Sequence, residues 1–165
     1  MLRRTLVVAI AAAALAATAS AGAGNGVVAS ASGGYGFSTS SVAVGPFTWH
    51  VQLQADGSVD GGYDYTQVSL SSSAALTVKG PIICAVIIGN HVWVGGIIEE
   101  SSRDSLIGLN MWFQAQDNGE GANAPPDMST TIGAGGPGTA QQYCDDHPPA
   151  LFPHLIEFGN LQVSS

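Results

Sequence analysis

The side chains with the most chemistry to offer lie in the second half of the chain. The stretch Asp117-Asn118-Gly119-Glu120-Gly121-Ala122-Asn123-Ala124-Pro125-Pro126-Asp127 is the most individual of them. Calcium takes six to eight oxygens from carboxylates, amides and carbonyls on a glycine-bent loop, and Asp117, Asn118, Glu120, Asn123 and Asp127 supply that chemistry. Their spacing is not that of an EF-hand. The competing account is a hairpin loop whose Asp and Asn side chains cap its own backbone. A second group is Asp145-Asp146-His147, with His154 seven residues on. Imidazole with carboxylate suits a divalent ion such as zinc, or acid–base work. Neighbouring residues of an extended segment point to opposite sides, however, which favours a solvated acidic loop.

Other catalytic patterns are absent from the sequence. No serine sits in a Gly-x-Ser-x-Gly elbow. Glu99 and Glu100 are adjacent, so on a strand they would face opposite ways and make a poor glycosidase pair. His50 and His91 read as outward or hydrogen-bonded strand histidines. Trp49, Trp93 and Trp112 fall on separate strands, where they either fill the core or line a shared pocket for an apolar ligand or a sugar ring.

The elements that must position these residues read as strands. Helical periodicity is missing, whereas two-residue alternation recurs. Phe47, Trp49, Val51 and Leu53 alternate with polar residues, and Asp56-Gly57 follows as a hairpin turn. Val59–Leu70 resumes with Tyr63 and Tyr65 on one face. Gly80-Pro81 marks a bulge, a bend or an edge. Ile82–Ile88 is apolar on both faces and must be covered on both. Gly89-Asn90 turns it into a return strand, His91–Ile98. Further strands follow at Leu106–Gln116, Met128–Ile132 and His154–Val163, with one helical turn at Thr139–Tyr143. About eight antiparallel strands in a meander close into a small β-barrel, with a two-sheet β-sandwich as the alternative.

Compartment follows from the N-terminus and the cysteines. Arg3 and Arg4, an apolar run over 6–17 and the small residues Ala19-Ser20-Ala21 have the layout of a secretory signal peptide over 1–21. The run is too short for a membrane span, which needs roughly 20 residues. A single β domain over 22–165 remains. Cys84 and Cys144 are the only cysteines, and in an exported chain an even count favours a disulfide. In that domain Lys79 and Arg103 face 12 Asp and Glu, a formal charge of −10. Nucleic acid and anionic membranes call for clustered Lys and Arg, so both are excluded as partners. One-signed charge favours a monomer.

Four stretches together resemble a widespread group of bacterial secreted domains of uncharacterised function: Gly33-Gly34, Cys84–Trp93 with its Gly89-Asn90 turn, the Asp117–Asp127 loop, and Phe158-Gly159-Asn160-Leu161-Gln162-Val163. The resemblance implies a small extracellular β domain and carries over no activity and no catalytic residue. The functional expectation is a non-enzymatic binding module for a small apolar ligand or a cell-surface partner. The alternatives are an extracellular hydrolase or isomerase using Asp145, Asp146, His147 and His154, or a structural envelope-associated protein.

Overall fold

The computed structural model describes residues 26–121, 123–150 and 153–165. The expected signal peptide over 1–21 lies outside them. Alternation drives the architecture. In β2 (Val42–Gln54) Phe47, Trp49 and Val51 are buried while Thr48, His50 and Gln52 are exposed. β3 (Val59–Ser69) buries Tyr63 and Tyr65 on the same side. One buried face per strand makes a sheet that must curl onto itself.

Among the described residues eleven strands form one antiparallel sheet, curled into a half-barrel. Seven are long: β1 (Val27–Ser38), β2, β3, β4 (Ala75–Ile88), β5 (His91–Ile97), β7 (Asn110–Gln116) and β11 (Phe158–Ser164). Four are two or three residues long: β6 (Glu100–Ser101), β8 (Met128–Ser129), β9 (Gly133–Gly135) and β10 (His154–Leu155). The path across the sheet is β10-β8-β7-β5-β4-β3-β2-β1-β11, a meander apart from the return of β11 to β1. The eight expected strands therefore become eleven, because short pieces of backbone pair at the edges.

β4 carries the bend expected at Gly80-Pro81. Its first half, through Pro81, pairs with β3, and its second half, from Ile82, pairs with β5. The C-terminal segment joins the two ends of the sheet. β10 pairs with β8, the Ile156 and Glu157 amides donate to Asp127 and Gly36 carbonyls, and β11 then pairs with β1.

The interior is filled with rings. Tyr35, Phe37, Phe47, Trp49, Tyr65 and Phe113 are each no more than 4 % exposed. Phe47 meets Tyr35, Tyr65 and Phe113 edge-on, with centroids 4.8–5.3 Å apart, the arrangement that ring quadrupoles favour.

β5 is buried on both faces, as its apolar hairpin requires. Val92 and Val94 face the core. The other face lies under α1 (Thr139–Asp146), which packs on β5, β4 and β7. This helix is two turns long, where one turn was expected. Cys84 of β4 is disulfide-bonded to Cys144 of α1. The helix sits so close that a Cβ on Gly95 would meet Ala140 O at 2.8 Å and the Cys84 Sγ at 2.6 Å.

Candidate functional site

The Asp117–Asp127 loop acts as a clasp. Asp117 Oδ1 accepts from the Gly119 amide at 2.8 Å and Oδ2 from the Val163 amide at 2.9 Å. Asp127 Oδ1 accepts from the Asn118 amide at 2.8 Å. Val163 sits on β11, so the Asp117 carboxylate stands where a further strand would have supplied a carbonyl. Asn118 Nδ2 donates to Pro126 O, and Asn118 Oδ1 accepts from Gln116 Nε2. Glu120 and Asn123 are exposed. Burial, before anything else, raises the Asp127 pKa above the ordinary carboxylate value, and the charges of Asp117 and Glu120 add to it. Asp117 Oδ1 and Oδ2, Asn118 Oδ1 and Asp127 Oδ1 thus each accept from backbone or a neighbouring side chain, and no group of three or more His, Cys, Asp or Glu among the described residues is placed to hold a metal ion.

The acid–histidine group is dispersed as well. Asp145 and Asp146 lie exposed on α1, each bonded to a glutamine four residues earlier. His147, just past the helix, packs on Trp93 with centroids 5.7 Å apart, whereas His154 stacks on Phe37 at 5.1 Å.

The three tryptophans do not share a pocket. Trp49 lies in the core, where its Nε1–H donates to Tyr35 Oη at 3.0 Å. Trp93 and Trp112 alternate with core residues and so face outward. Trp93 Nε1–H donates to Pro148 O at 2.8 Å, and Trp112 packs between Gly133 and Tyr143. The register of β2, β5 and β7 around the curl separates them, and spacing along the chain could not show that.

Two sizeable recesses lie on the outer surface. Thr48 stands opposite Asp64, Asp64 opposite Lys79, and Lys79 opposite Glu100, a polar row across β2, β3, β4 and β6. His50 and Gly62 face each other in the adjoining row. Two recesses of about 500 and 510 Å³ adjoin this row and share Asp64, Lys79 and Glu100. Lys79 Nζ lies 2.9 Å from Glu100 Oε2, and that bond raises the lysine pKa. Glu99 and Glu100 both border the first recess, Glu100 as the first residue of β6. Sequence reading missed this groove. Its members are unremarkable outward residues of different strands, and only register aligns them.

No family model, no curated protein and no solved structure matches this chain.

Proposed function

We propose that the chain is an exported, non-enzymatic binding module that meets a polar cell-surface partner through the outer groove of β2, β3, β4 and β6. The observation that carries this is the filled interior: the rings around Phe47 occupy the space in which a barrel would hold an apolar ligand. Room for a ligand is outside, where hydroxyl, carboxylate, imidazole and ammonium groups line the recesses alongside Trp49 and Tyr63. The disulfide and the signal-like N-terminus support export. Three carboxylates against one lysine favour a partner that is neutral or cationic where it touches the groove. No helix among the described residues is long and apolar enough to cross a membrane.

Gly62 offers a direct test. A Cβ there would meet only ordinary contacts, Gly80 O at 3.5 Å and His50 Cε1 at 4.0 Å. Gly62→Gln therefore fills the groove without disturbing the core. Labelled wild-type protein is expected to bind surface extracts of the source cells, and Gly62→Gln to lose that binding at an unchanged melting temperature. Undiminished binding by the variant would refute the groove.

A further inference from the structure

A third recess, of about 330 Å³, opens on the same outward face as the groove. Gln162 of β11 and Ser32 of β1 border it, together with Glu120 of the clasp loop. Register joins it to the groove. Gln162 stands opposite Ser32, Ser32 opposite His50, and His50 opposite Gly62. Gln162, Ser32 and His50 are all exposed. The three recesses are thus stations on one polar track that crosses β11, β1, β2, β3, β4 and β6. At roughly 4.8 Å between neighbouring strands the track is about 24 Å long.

Length, backbone, side chains and charge together define its ligand. A chain of linked units spans such a track, where a compact small molecule would fill one station. A peptide that docks as an added strand needs free backbone groups. Along the track β1, β2 and β3 are paired on both sides, and the Val163 amide at the β11 edge is taken by Asp117. Recognition therefore falls to side chains. The Gln162 amide, the Ser32 and Thr48 hydroxyls and the His50 imidazole each donate and accept hydrogen bonds, as sugar hydroxyls do. A polyanion would meet Asp64, Glu99, Glu100 and Glu120, while the one ammonium, Lys79, is held by Glu100 at 2.9 Å.

We propose that the track takes an uncharged polysaccharide laid across the strands, with its hydroxyls bonded to Gln162, Ser32, His50 and Thr48. The strand spacing is close to the length of one sugar unit in an extended chain, so successive units meet successive strands. The proposal rests on the groove reading above and names its ligand.

The test is a nuclear magnetic resonance titration of the secreted protein. The probes are gluco-, manno-, xylo- and N-acetylchito-oligosaccharides, each from disaccharide to hexasaccharide. At least one series is expected to gain about tenfold or more in affinity from its shortest to its longest member. The hexasaccharide is expected to shift both the Gln162 side-chain amide and the Lys79 backbone amide. Ser32→Arg sets a long side chain at an exposed position between the stations. It is expected to bring the hexasaccharide down to the affinity of the disaccharide at an unchanged melting temperature. The proposal is overturned by no shift with any series at millimolar concentration, by affinity that does not grow with length, or by shifts confined to one station. Binding of a chitosan oligosaccharide alone, whose amines are charged, also overturns it, as does undiminished hexasaccharide binding in a folded Ser32→Arg. The wild-type length series decides the matter if the variant does not fold.

Digested surface extracts separate this proposal from the groove reading. Binding that survives protease and is lost after mixed glycosidases supports the polysaccharide. Binding that survives glycosidases and is lost after protease overturns it and leaves the groove in place. Undiminished extract binding by Gly62→Gln removes both.

Discussion

Tyr35 Oη lies 2.7 Å from Ser129 Oγ, across 94 residues of sequence. The contact links β1, near one end of the sheet, to β8, near the other. The same hydroxyl accepts from Trp49 Nε1 at 3.0 Å, and Ser129 Oγ donates onward to Thr130 O at 3.1 Å. A buried polar chain thus runs through the ring-filled interior and holds the curl together.

Tyr35→Phe leaves both the Trp49 indole N–H and Ser129 without this partner. A loss of about 2 kcal/mol in folding stability is expected from denaturant melts, since unpaired buried donors carry their full desolvation penalty. Ser129→Ala keeps the Trp49–Tyr35 bond and is expected to lose less. Equal losses would show that the indole bond contributes nothing.

Gly95→Ala places a methyl against Ala140 and the Cys84 sulfur. The helix must shift outward, at a cost of about 1–3 kcal/mol, as for other overpacked sites. Gly136→Ala, where nothing lies within 4 Å, is the control and is expected to melt within about 0.5 kcal/mol of wild type. Similar melting of the two variants would refute the tight docking of α1.

Asp117→Ala removes the acceptor of the Val163 amide. Hydrogen exchange at Val163 is expected to speed up sharply, with about 1–3 kcal/mol lost overall. Because the carboxylates are already engaged, millimolar calcium and chelator are both expected to leave the wild-type melting temperature unchanged. A rise with calcium that disappears in Asp117→Ala would restore the metal reading.

Tyr35, Tyr63, Tyr65 and Tyr143 all have pKa values above the ordinary 10.0, with burial the largest cause in each case. The unfolded chain releases these protons first as pH rises. The stabilisation they represent is complete below pH 10 and is lost progressively above it. Tyrosinate absorbance is expected to stay low at about pH 10.5, where free tyrosine is mostly ionised, and then to rise together with unfolding. Early ionisation with the fold intact would contradict the burial.

Strand identity was legible because alternation is local. Phe47, Trp49 and Val51 announce their face whatever lies opposite. The short β6 and β9 were not legible, since two or three residues become a strand only when a neighbour offers hydrogen bonds, and the expected Met128–Ile132 and His154–Val163 strands break up, the first keeping only β8 and the second splitting into β10 and β11.

The sequence by itself determined an all-β curled sheet, the pairing of its only two cysteines, and the acidic charge. Each depends on residue type and near neighbours alone. Only the tertiary structure decided what the chemistry-bearing residues do. Asp117 meets Val163, 46 residues away, and becomes a clasp. Trp49 turns into the core while Trp112 turns out beside Gln114. Thr48, Asp64, Lys79 and Glu100 fall into one row. The physical reason is register: a one-residue slip in any strand pairing would send each of these side chains to the opposite face, and registers are set by contacts between residues far apart in the chain.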